Sequence, residues 1–309
     1  MRFHVTPLLC LVFIPAIAFA QAQAQAQTQE RVVSGDGLVT VNVNGGPGRL
    51  RIDPAAPALP ILTETYAQRV GLRPGPFAFA YLVGPERVMG RSAVGRIAVG
   101  TGVPPRKRRI GWTGRPYVPD ADGVIGPGGL PEPVVRFVLR APQPGERVIT
   151  LPMEDEGGLF GGWGGTYAMV DLGGEPLRVR FNPNEPRTLA TAGAAVRIAN
   201  LHDGRVAGET APAHIAFGIS RPVRTMRLAT PLAIGPFAIS ELGVRTSDFG
   251  NASAIREEGG DPDEVVVTGD RRRNRNRDRL SIGADQLRAC SSITFDKRAR
   301  QVRLSCVLP

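Results

Sequence analysis

An all-β fold in two related lobes, with a few short helices, is what this 309-residue sequence predicts. Three observations carry that prediction. The 38 glycines and 28 prolines disfavour long helices and favour short strands joined by turns. Apolar residues alternate with polar ones or run in short stretches, the pattern of half-buried or buried strands. One internal repeat occurs in two copies, which points to two lobes about a pseudo-twofold axis and away from a solenoid or propeller.

The repeat aligns residues 45–57 with 174–186 without a gap and with six identities in thirteen, placing Asp53 on Asn182. A second block, 88–100, overlays 206–218 with six more identities. A third pair sets Val124-Ile125-Gly126 with Leu130 against Ser281-Ile282-Gly283 with Leu287. Within each copy the strands are expected at 38–43, 50–52 and 94–99, then at 169–172, 177–181 and 214–219. Helices are expected at 62–70, 191–198 and 284–288, where apolar spacing loosens toward three and four. At the end of the chain, Ile293, Phe295, Val302 and Leu304 alternate about a turn at 296–300, a hairpin with one buried face.

Residues 1–20 have the make-up of a cleaved signal peptide: a short polar start, an apolar stretch over 7–19 and the A-x-A sequence Ala18-Phe19-Ala20. The chain is therefore expected to be exported, periplasmic or secreted, with no transmembrane span once the signal is removed. A Gln/Ala-rich spacer follows at 21–35, then an N-terminal lobe at 36–153, a glycine-rich interlobe linker at 154–166 and a C-terminal lobe at 167–309. Cys290 and Cys306 are the cysteines left in the mature chain, and in an oxidising compartment they are expected to form one disulfide. Strand parity puts Cys306 on the buried face of the terminal hairpin and Cys290 off it, so Cys290 is expected outside the strand, at the end of the short helix before it.

Only two of the 38 basic residues are lysine, Lys107 and Lys297, so the net charge of +10 reads as codon bias as much as a polyanion footprint, and no nucleic-acid partner is expected. His202 and His214 stand at no metal-ligand spacing, and the glycine-rich stretches lack the lysine and hydroxyl ending of a phosphate loop, so neither a metal nor a cofactor is expected. A G-x-S-x-G elbow is absent too, since Gly218-Ile219-Ser220-Arg221-Pro222 fails at its last position.

Taken together, a lobe of strand, glycine turn, Asp53, helix, flap-like strand pair and Val124-Ile125-Gly126, repeated with Ile282-Gly283, resembles the retropepsin-like and pepsin-like aspartic proteases. The resemblance spans about residues 36–245 and 280–306. It implies a double retropepsin-like barrel, a catalytic site at Asp53 and a flap at 83–90 over an interlobe cleft. Family chemistry needs two carboxylates sharing one proton, one acting as base on water and the other as acid. Here Asp53 is matched by Asn182, which cannot titrate. Pro54 and Pro183 stand where the family has a hydroxyl residue, and Ala55 and Asn184 where it has glycine. The expectation is a monomeric protein without proteolytic activity that holds a peptide or other ligand in the cleft, its Asp53 hydrogen-bonded by Asn182 and kept ionised. Two rival readings stand beside it: a working periplasmic aspartic endopeptidase, and an envelope interaction protein.

The last of these rests on residues 250–279, read as an exposed insertion dense in charge. Within it, residues 263–269 followed by the arginines of 271–277 are similar to the start of the plug region in TonB-dependent outer-membrane receptors, which implies an envelope partner.

Overall fold

The computed structural model describes residues 30–156, 163–259 and 277–308. Strands dominate it. In chain order the first half holds β1 (Glu30–Val33), β2 (Leu38–Val43), β3 (Gly46–Ile52), β4 (Ile61–Thr63), β5 (Ala78–Val83), β6 (Glu86–Val99), β7 (Arg106–Thr113) and β8 (Gly123–Ile125). Then come β9 (Val134–Val138), β10 (Arg147–Asp155), β11 (Thr166–Asp171), β12 (Pro176–Phe181), β13 (Leu189–Thr191), β14 (Gly204–Ala216) and β15 (Ile219–Ile234). Finally there are β16 (Phe237–Arg245), β17 (Arg256–Glu257), β18 (Arg279–Ile282), β19 (Cys290–Asp296) and β20 (Gln301–Cys306). Short helices are α1 (Glu64–Arg69), α2 (Ala192–His202) and α3 (Ala284–Leu287).

One sheet closes on itself: β2, β3, β8, β4, β7 and β6 pair in that order and β6 returns to β2, making a six-stranded barrel with β5 hung on β6 as a hairpin. The pairings alternate in a characteristic way, β2–β3 antiparallel, β3–β8 parallel, β8–β4 antiparallel, β4–β7 parallel and β7–β6 antiparallel. The same succession recurs in the other sheet as β11–β12, β12–β18, β18–β13, β13–β16 and β16–β15, with β14 and β15 as its hairpin. In both runs the fourth strand, β4 or β13, ends at a threonine that caps the helix after it: Thr63 Oγ1 accepts from Tyr66 N at 3.3 Å, and Thr191 Oγ1 from Ala194 N at 3.5 Å. The remaining strands β1, β9, β19, β20 and β10 extend the second sheet, so the sheet that carries β11–β18 also reaches back to the segments flanking the barrel.

Period-two burial explains these elements. Leu50 and Ile52 of β3, and Leu177, Val179 and Phe181 of β12, are buried, while the intervening Arg51, Arg178 and Arg180 point to the other face. The core joins these residues to Phe137 and Phe295, whose rings meet edge to face at 5.8 Å. Glycine is required beneath both repeat turns. A Cβ on Gly126 would stand 2.0 Å from the Ala56 carbonyl oxygen, and one on Gly283 would stand 2.4 Å from the Arg187 carbonyl carbon.

One local expectation differs from what is seen, and two segments take a more definite place. Cys290 and Cys306 are disulfide-bonded, but Cys290 is the first residue of β19 and lies directly opposite Cys306. A bulge between Cys290 and Ser292 inserts one residue, which reverses the side-chain parity and turns Cys290 onto the buried face. The glycine-rich linker is the connection of an antiparallel pair, β10 with β11, and its described end returns to the barrel through hydrogen bonds from Ala58 N to Gly164 O and Leu59 N to Trp163 O. The insertion is not wholly peripheral, since Ala252 and Ile255 are buried and β17 pairs with β14. The plug-like residues 263–269 and the arginines 271–276 lie outside the described residues, as do residues 1–20, expected as a signal peptide, and residues 21–29 of the expected spacer.

Candidate functional site

Asp53 begins a turn at the end of β3, where Pro54 prevents continuation of the ladder. Its backbone N–H donates to Ile125 O at 3.0 Å, its Oδ1 accepts from Ala55 N at 2.7 Å, and its carbonyl accepts from Ala56 N at 3.1 Å. Asn182 begins the equivalent turn after β12 with the same three bonds: N–H to Ile282 O at 2.8 Å, Oδ1 from Asn184 N at 3.2 Å, and carbonyl from Glu185 N at 3.1 Å. Two short segments aligned by sequence thus fold into the same asparagine- or aspartate-headed turn, each underlain by a glycine.

The two turns meet, but through a different residue from the one expected. Asn184 Nδ2 donates to Asp53 Oδ2 at 3.1 Å, so the cross-turn partner of the carboxylate is Asn184. Asn182 is occupied locally, its Oδ1 held by the Asn184 backbone. Asn184 stands where the resemblance has a glycine, and its side chain supplies the bond between the turns.

Around this contact lies a network that sequence reasoning missed. Arg180, alternating with buried Val179 and Phe181, projects from β12 toward the Asp53 turn, with Nη1 at 3.5 Å from Ala55 O and Nε at 3.4 Å from Ser281 Oγ. It lines a small cavity together with Tyr81 of the β5–β6 hairpin. Tyr81, Tyr117 and Phe217 form an aromatic triangle with centroid separations of 5.8, 5.1 and 4.8 Å. Val83 and Val88 of the flap-like hairpin share a buried cluster with Ala216, Phe217 and Ile219 at the tip of the β14–β15 hairpin. The two hairpins therefore touch tip to tip across the site. Glu86 adds an ion pair to Arg221 at 3.6 Å.

Burial dominates the electrostatics. Asp53 is 6% exposed, and desolvation raises its carboxyl pKa above the ordinary value, despite the opposing pull of the Ala55 amide, the Arg180 charge, the Asn184 amide and Arg51. An amide does favour the ionised form as expected, though it comes from Asn184 and burial outweighs it. Glu185, three residues beyond Asn182, is also buried, and burial pushes its carboxyl up to about 6 against the opposing pull of Arg180 and Arg245. Arg180 is the shared cation of both carboxyls. The one sequence signal for it is an arginine between two core positions of a strand, and that pattern also describes a solvated face.

A Glu185→Gln substitution tests this electrostatic picture. A raised carboxyl pKa means the folded state binds the proton more tightly than the unfolded chain, so the stability it contributes is present below the unfolded value of 4.5 and lost as pH rises through about 6. The variant should unfold at a higher temperature than the parent at neutral pH and show a flatter stability profile between those two values. A variant less stable than the parent at neutral pH would show that Glu185 is held as a favourable carboxylate.

Beside the turns opens a cavity of about 390 Å³ lined by Ala55, Leu59, Phe79, Tyr81, Trp163 and Arg279 among others. Ala55 lines it, whereas Asp53 lies beneath, turned to Asn184. Trp163 and Gly164, from the end of the glycine-rich connection, form part of its wall. Among the described residues no group of three His, Cys, Asp or Glu side chains is placed to hold a metal ion, and no helix is long and apolar enough to cross a membrane.

Chemically, the arrangement offers one carboxyl, one amide and one guanidinium at the junction of two turns. An amide cannot share a proton with Asp53 as a second carboxyl would. No protein-family model matches this chain, and a comparison with curated proteins finds no match.

Proposed function

We propose that this chain is an exported, two-lobed protein of aspartic-protease-like architecture that has no proteolytic activity and binds a peptide or other ligand in the cleft between its lobes. The repeated succession of strand pairings and the identical hydrogen bonding of the Asp53 and Asn182 turns support the architecture. The disulfide is compatible with an exported protein. The observation that carries the functional reading is the junction itself, where the Asp53 carboxylate accepts from the Asn184 amide and no second carboxyl group hydrogen-bonds to it among the described residues.

Purified protein incubated with a denatured protein substrate across the acid range should show no turnover. Asn182→Asp should not create an enzyme, because its position is not the one that reaches Asp53 and because Pro54 and Pro183 leave both turns without hydroxyls. Turnover that disappears in Asp53→Ala would overturn this reading in favour of an active aspartic endopeptidase.

A further inference from the structure

The large cavity continues into a small one with a different character. Tyr81, Leu82, Phe249 and Arg279 line both, so the two are contiguous. The large part is walled mainly by apolar and aromatic groups, including Leu59, Ile61, Phe79 and Trp163. The small part, about 20 Å³, is lined by the arginines Arg180, Arg245 and Arg279 together with Thr191 and Ser281, and among the described residues no acidic side chain lines it. Space of that size holds more than one water and admits the head of one small polar group.

Two of the arginines are already ion-paired, one of them to Glu156, which also lines the large cavity. Arg245 is ion-paired with Asp248, and Arg279 with Glu156 at 2.5 Å while stacked 5.1 Å from the Tyr167 ring centre. Yet donors remain unmatched. Arg245 is only 7% exposed and its Nε has no hydrogen-bond partner, and the buried Nε of Arg279 has none either. A buried donor without an acceptor is costly, more so on a charged group. Crowding by like charge is visible in Arg245 itself, whose pKa is pulled down to about 9 by burial and then by Arg180, Arg221 and Arg279. An anion in the small cavity would relieve both conditions, and guanidinium groups match a planar carboxylate best.

We propose that the cleft takes an apolar ligand bearing one carboxylate, its apolar body in the large cavity and its carboxylate in the small one against Arg245 and Arg279. This rests on the cleft-binding reading and names the chemistry that the cleft selects. The carboxylate can belong to the free C-terminus of a peptide or to a small aryl-alkyl acid, and the test separates the two.

The experiment is calorimetric titration of the full chain with three probes: N-acetyl-Phe-Leu-Phe as the free acid, the same peptide as its C-terminal amide, and 4-phenylbutyrate. The free acid should bind roughly tenfold or more tightly than the amide, the ratio that one charge-assisted hydrogen bond supports. Arg279→Gln should bring the free acid down to the affinity of the amide. Arg245→Gln leaves Asp248 buried without its partner and can unfold the chain, so the more exposed Arg279 position carries the test, with an unchanged circular dichroism spectrum as its control. Binding of 4-phenylbutyrate without either peptide supports the site and assigns it to small acids. Equal affinity for the acid and amide peptides, or a preference for the acid that survives Arg279→Gln, overturns the carboxylate site while leaving cleft binding in place. Silence from all three probes overturns both.

Discussion

Arg180→Met should be among the most damaging single substitutions in this protein, lowering stability by about 3–5 kcal/mol at neutral pH, the cost of removing one partner from a buried charge cluster. Both Asp53 and Glu185 lie close enough to Arg180 for its charge to lower their pKa values, and burial raises both. Methionine keeps much of the length and apolar bulk, so packing is largely conserved and the charge is what is lost. Without the guanidinium the two carboxyls must either ionise unpaired or take up protons, and each carries that penalty at neutral pH. Protonation removes most of the penalty, so the deficit should shrink as pH falls below the unfolded carboxyl values of 3.8 and 4.5. Urea unfolding of parent and variant at neutral and acid pH gives both numbers. A loss below about 1 kcal/mol at neutral pH would mean that the carboxyls are solvated enough to stand alone. The same measurement distinguishes a structural cation from a ligand contact, since the predicted loss occurs with no ligand added.

How much of this was legible beforehand depends on the range of the interaction. The alternation of Leu50 and Ile52, and of Leu177, Val179 and Phe181, is a local signal, and β3 and β12 follow it. The ungapped alignment of Asp53 with Asn182 is also local, and the two turns share their hydrogen bonds one for one. The threonine caps at Thr63 and Thr191 sit where the helices were expected to begin. What failed was parity and partnership. Ser291 carries no mark of the bulge that places it, because a bulge is set by what both strands must bury and not by one residue's preference. Asn184 was noticed only as a departure from glycine, since its bond to Asp53 spans 131 positions in the chain. Arg180 and Glu185 were unreadable for the same reason: an alternating arginine or a turn glutamate acquires meaning only when the second turn closes over it.

Phe217→Ala should have the second large effect, and it should be local to the hairpin contact. Phe217 is 2% exposed, packs on Tyr81 and Tyr117 and donates its backbone N–H to Tyr117 O at 3.3 Å, yet it sits at the turn between β14 and β15 with φ of +56°. A large side chain in the left-handed region is disfavoured by roughly 1–2 kcal/mol, so the aromatic contact must outweigh that strain in the folded state. Alanine forfeits the contact without relieving the strain, and truncating a buried phenylalanine typically costs about 3–5 kcal/mol. Because Tyr81 and Val83 belong to the facing hairpin, that loss should appear as faster amide hydrogen exchange over β5 and the start of β6, with β3 and β12 much less affected. Phe217→Gly separates the two contributions: it loses the same contact but regains backbone freedom, and should be more stable than the alanine variant by about 1 kcal/mol. If exchange rises equally throughout the barrel, the hairpins are no separable latch and the aromatic triangle is simply core. If glycine is no better than alanine, the turn at Phe217 is unstrained and its conformation needs no compensation from Tyr81 and Tyr117.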